Sequence, residues 1–120
     1  MAASAALCAA AMAATSYSVK LKLPTSVKPG HSFKVTASGT SASTSRLTVF
    51  LSKSCAASAT AEAKSAHAII NTNVVHSFTS SKTAKASGKT GKYHACAYLT
   101  GGGRTRAHAA KTYYVVLGGY

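Results

Sequence analysis

A chain of 120 residues with eleven Lys, three Arg and one acid, Glu62, carries a formal net charge of +13 and has room for a single domain. With no Asp and one Glu it cannot build paired carboxylates, an Asp-oriented histidine or an oxygen-rich Ca²⁺ cage, which closes most hydrolytic mechanisms. Ala, Ser and Thr together fill 56 positions, so the core must be thin and would gain from a covalent staple.

The opening MAASAALCAAAMAATS is uncharged and Ala-rich, with Ala11-Met12-Ala13 placed as an A-x-A cleavage site that would free Ala14. Residues 1–15 are expected to be a signal-peptide-like segment, truncated at its front because the first cation is Lys20; an Ala-rich helix without an export role is the alternative. Residues 16–120 then form the domain. Cys8 falls in the leader, and Ala5-Ala6-Leu7-Cys8 lacks the small residue that lipidation needs before the cysteine. No apolar run reaches the length of a membrane span.

From Tyr17 the hydropathy period is two. Val19, Leu21 and Leu23 alternate with Ser18, Lys20 and Lys22, which is how a strand with one wet face is written. Pro24 and Pro29-Gly30 mark a turn, and Phe33, Val35 and Ala37 resume the alternation against Ser32, Lys34 and Thr36. Gly39 and the Ser/Thr cluster at 40–45 are expected to end that second strand. Leu47, Val49 and Leu51 make a third, with Phe50 on its other face. The segment from Ser54 to Ala68 changes character: alanines, a Ser54 able to cap and Glu62 midway predict a short helix or helical turn, an edge strand being the alternative. Val74, Val75 and Phe78 predict a fourth strand and 82–86 a short fifth. The turn at Gly88-Lys89-Thr90-Gly91 leads into a strand from Lys92 to Leu99, and Gly101-Gly102-Gly103 precedes the last, Thr112 to Leu117. About seven strands at this spacing imply an all-β antiparallel sandwich.

The pattern Leu23-Pro24, Val27, Pro29-Gly30, Phe33, Val35, Gly39 resembles the opening strands of bacterial secreted Ig-like modules, and GKYHACAYL resembles their penultimate strand. The resemblance spans roughly 17–118. It implies an Ig-like β-sandwich in an extracellular setting, with a role in adhesion, surface or carbohydrate binding, or spacing. Two antibody-type core features do not carry over: there is no Trp, and Tyr93 lies three residues before Cys96 rather than two.

Without the leader, Cys55 and Cys96 remain, the number for one disulfide. Cys55 follows the third strand and Cys96 sits in the penultimate one, and in an Ig-like sandwich those strands are neighbours in one sheet, so a Cys55–Cys96 bond would tie the helical segment to the sheet; two free buried thiols in a cytosolic chain are the alternative. Five histidines, His31, His67, His76, His94 and His108, raise the question of a metal, since His94 and Cys96 share a strand face. They are scattered singly, and a disulfide cysteine cannot ligate, so no metal site, cofactor or catalytic residue is assigned. A metal-dependent enzyme would require His67, His94 and His108 to converge.

What remains is charge. Lys20, Lys22 and Lys34 project from the wet faces of the first two strands. Arg104 and Arg106 follow the glycine loop, where they would either close on a phosphate or sulfate or flank an ordinary hairpin. The sequence therefore predicts a secreted or cell-surface, non-enzymatic, monomeric module that captures anionic wall or extracellular polymers through these five cations, without specific nucleic-acid recognition. The alternative is a small cationic secreted effector that binds nucleic acid or anionic membranes.

Overall fold

The computed structural model describes residues 16–64 and 66–117; the leader-like segment with Cys8 lies outside them. The described chain forms β1 (Ser18–Lys22), β2 (Ser26–Val27), β3 (Ser32–Ser52), the helical turn α1 (Ala59–Glu62), β4 (Ala68–Lys85), β5 (Gly91–Gly101) and β6 (Arg104–Val115). The strand order is β1-β3-β5-β6-β2, with β4 on the other side of β3. Every pairing is antiparallel except the short β2–β6 contact.

The long strand β3 makes two layers from one hydrogen-bonded sheet. Its first half pairs with β1 through Thr36–Thr40 and its second half with β5 through Arg46–Ser52, while β4 follows it along the other edge. Between the halves, at Ser41–Ser45, the register with β4 shifts and the strand bends, the usual way a strand passes from one layer of a sandwich to the other. The first layer is β1, the front of β3 and the back of β4; the second is the front of β4, the back of β3, β5, β6 and β2.

Several sequence expectations change here. The second and third strands are one, and so are the fourth and fifth. The serines at 41–45 hydrogen-bond locally, as such clusters do in turns, but at a bulge: Ser41 Oγ and Ser45 Oγ are 2.8 Å apart, and Ser41 also donates to the Ser43 carbonyl. Gly39 does not end the strand either. A Cβ there would lie 2.0 Å from the Ser18 carbonyl oxygen, so the glycine is what lets β1 come close enough to pair. The helical segment is shorter than expected, a single turn capped by Ser58 rather than Ser54, with the Ser58 side chain accepting from Ala61 N. The last strand begins early, at Arg104, because Gly102 and Gly103, both with positive φ, form the two-residue turn that a tight β-hairpin requires.

The core lies between the layers. Val19, Phe33, Val35 and Ala37 face Leu47, Val49, Ala95, Ala97, Leu99, Tyr113 and Val115, the inward halves of the alternations. The outer side of the second layer carries a smaller cluster, Phe50, Cys96 and Tyr98, roofed by Ala59 and Ala66 of the segment that follows β3. That roof explains why β5 is buried on both faces from Ala95 to Leu99. It is fastened by the disulfide Cys55–Cys96, with a sequence separation of 41, which in the chain-entropy account contributes about 4 kcal/mol.

Candidate functional site

Register places the wet faces of three strands side by side. On β1 the outward residues are Ser18, Lys20 and Lys22; opposite them on β3 stand Thr40, Ser38 and Thr36, and the same face of β3 continues through Lys34 to Ser32. On β4 the partners of Thr40, Ser38, Thr36, Lys34 and Ser32 are Ser77, Thr79, Ser81, Thr83 and Lys85. Every outward position of the first layer is thus a hydroxyl or a lysine. The face is cross-linked by its own hydroxyls: Ser18 Oγ lies 3.1 Å from Thr40 Oγ1, and Thr36 Oγ1 lies 2.9 Å from Ser81 Oγ. Lys22, Leu23, Pro24, Lys34 and Thr36 line a shallow groove of about 440 Å³ at one end of it.

Three of the predicted cations, Lys20, Lys22 and Lys34, therefore share one surface, and the structure adds a fourth, Lys85. Nothing local in SSKTAK marks Lys85 out. It joins the others only through the pairing of Ser32 with a residue more than fifty positions away, and only the strand register reveals it.

The two arginines do not join this surface. Arg106 is held by the hairpin, its Nε donating to the Gly101 carbonyl at 3.0 Å while its guanidinium lies 5.2 Å from the Tyr17 ring centroid. Arg104 is exposed at the hairpin tip, paired in register with Gly101. Tyr17 precedes β1 and lies five residues from Lys22, roughly 17 Å along an extended strand, so the arginines sit at the opposite end of β1 from the groove. Of the two roles open to the glycine loop, Arg106 fills that of a hairpin clasp.

The single acid is absent from the surface. Glu62 is 1 % exposed; its carboxylate accepts from Ala56 N at 2.8 Å and from Ser52 Oγ at 2.5 Å, and Oε2 lies 3.9 Å from Cys96 Sγ. Beside it Tyr98 donates to the Ala56 carbonyl, and burial, reinforced by the Glu62 charge, pushes its phenol above the ordinary value. No side-chain carboxylate therefore stands on the surface to pair with the lysines. The histidines stay apart: His94 Nδ1 pairs with Thr112 Oγ1 at 3.1 Å, Cys96 is in the disulfide, and among the described residues no three His, Cys, Asp or Glu side chains come together as a metal site would need.

No protein-family model matches the sequence, and no curated protein matches it. Solved structures match the fold. The sulfur carrier protein SoxY from Chlorobium limicola f thiosulfatophilum superposes with a TM-score of 0.61 at 14% identity, covering 98% of this chain and 100% of that one. The superoxide reductase neelaredoxin from Ignicoccus hospitalis gives 0.54 at 17%, covering 82% of this chain and 80% of its own. Spo0M, a sporulation control protein from Bacillus subtilis, gives 0.50 at 14%, covering 87% and 51%. At these identities the likeness is one of architecture: the chain is an all-β protein with a β-sandwich, Ig-like type of fold. Proteins of such different description on one fold leave function to be argued from the site.

Proposed function

We propose that this protein is a non-enzymatic module of the cell surface or extracellular space that captures anionic polymers through the outer face of its first layer. The observation that carries the reading is the composition of that face, on which every outward residue is a hydroxyl or a lysine, in a chain whose one acid is buried. A polyanion laid across it gains by releasing its counterions, and the hydroxyls supply neutral donors and acceptors to phosphate, sulfate or sugar oxygens. Secretion rests on the leader-like opening and on the disulfide, a bond that persists in oxidising compartments.

The effector alternative is less well supported. Membrane disruption calls for a basic amphipathic helix with bulky apolar residues, whereas α1 is one turn of ATAE without a cation. The test is retention of the oxidised domain on immobilised anionic polymers and on a neutral glycan across a salt series. Retention on the anionic supports that weakens with salt, together with none on the neutral one, is expected. Retention on the neutral glycan alone contradicts the proposal.

A further inference from the structure

The four lysines are not a diffuse patch. Lys20 and Lys22 are two residues apart on β1, about 7 Å along the strand. Lys22 pairs with Thr36, which puts Lys34 at its diagonal, and Lys34 pairs with Thr83, which puts Lys85 at the next diagonal. Diagonal neighbours in an antiparallel pair lie roughly 7–8 Å apart. Lys22, Lys34 and Lys85 therefore form an oblique line across three strands, which Lys20 extends along β1, at nearly equal steps, with Thr36 and Thr83 beside it and the groove at Lys22 and Lys34 along it.

We infer that this line is a track for a linear phosphodiester polymer with a three-carbon spacer, one phosphate to each lysine. A chain of three backbone bonds advances at most about 3.6 Å, so a repeat of six bonds, phosphorus to phosphorus across two oxygens and three carbons, advances about 7 Å and matches the step. Duplex nucleic acid, with one charge per ~1.7 Å on a stiff cylinder, does not. The face carries no aromatic side chain, so nothing on it stacks a base; a polymer without bases binds as well as one with them. The inference rests on the polyanion reading above and adds to it the identity and spacing of the charges.

The probes are synthetic: a base-free phosphodiester oligomer with three-carbon spacers, one with the same number of phosphates on dodecyl spacers, and a sulfated glycan. Affinity for each is measured by titration calorimetry over a salt series with the oxidised protein. Four phosphate contacts to a flexible single strand give a slope of log K against log [salt] of about −2.8. Each of the substitutions Lys20→Gln, Lys22→Gln, Lys34→Gln and Lys85→Gln lowers its magnitude by about 0.7, and Lys92→Gln, on the second layer, leaves it unchanged. The dodecyl oligomer must coil its spacers to set neighbouring phosphates roughly 7–8 Å apart and binds about tenfold more weakly than the three-carbon one at the same salt. Equal affinities for the two spacers, or a slope indifferent to the four substitutions, would overturn the track while leaving polyanion capture intact. A sulfated glycan that holds on at salt releasing the three-carbon oligomer would overturn the phosphodiester assignment. No binding by any polyanion would overturn the underlying reading as well. All five substitutions are at exposed positions, and an unchanged circular dichroism spectrum checks that each variant is folded.

Discussion

Glu62 and Tyr113 show how single side chains set the limits of this fold. The Glu62 carboxylate satisfies the Ser52 hydroxyl and the Ala56 N–H and so pins the loop that carries Cys55 against β5. Glu62→Ala leaves the Ala56 N–H without its acceptor and the Ser52 hydroxyl with the Ser54 carbonyl alone, and opens a hole under α1, an expected loss of about 2–4 kcal/mol, read as a lower urea midpoint of the oxidised protein. An unchanged midpoint would mean the loop is held by the disulfide alone. Tyr113 stacks on Tyr93 at 5.7 Å and tilts against Phe33 at 5.2 Å. Burial first, and the neighbouring Tyr93 second, push its phenol from 10.0 up to about 12. An unfolded tyrosine loses its proton near pH 10 while the folded one keeps it, so this part of the stability is whole below pH 10 and is lost as the pH rises through 12. The urea midpoint is expected to fall over that window, and to fall less in Tyr113→Phe. Identical pH profiles would contradict the assignment.

At the scale of elements, β1 depends on one residue of β3. With the Gly39 Cβ position 2.0 Å from the Ser18 carbonyl oxygen, Gly39→Ala must push the two backbones apart, and a loss of more than about 3 kcal/mol is expected. Hydrogen exchange should show it as lost protection in Ser18–Lys22 before any in β5; uniform loss would contradict the local cause. The same stretch shows what the sequence could and could not say. Alternation made β1 and the front of β3 legible, because one apolar face and one wet face leave a period of two in the chain. The bend was not legible. Ser41 and Ser45 look like turn formers whether they end a strand or bridge a bulge, and only the partner strands decide which. Lys20, Lys22 and Lys34 were visible for the same reason as their strands. Lys85 was not, since its membership of the face comes from pairing over a long sequence distance, and Arg106 could not be seen to be engaged until Tyr17 and Gly101 were beside it.

For the molecule as a whole, charge is distributed as if by exclusion. The one acid is inside, the cations are outside, and the open edge of β4, from Ala68 to Lys85, pairs with no other described strand. Such an edge invites pairing with another chain. It is interrupted by the register shift opposite Ser41–Ser45 and by the positive φ of His76, and the net charge of +13 adds mutual repulsion. The arrangement leaves the flat outer face of the first layer as the surface best fitted to a partner of opposite charge. The most direct measurement is an amide chemical-shift map of the oxidised domain titrated with the three-carbon phosphodiester oligomer at low salt. Shifts confined to β1, the front of β3 and the back of β4, strongest around Lys22, Lys34 and Lys85, are predicted. Shifts centred on the β5–β6 hairpin at Arg104, or spread evenly over every lysine of the molecule, would contradict the account.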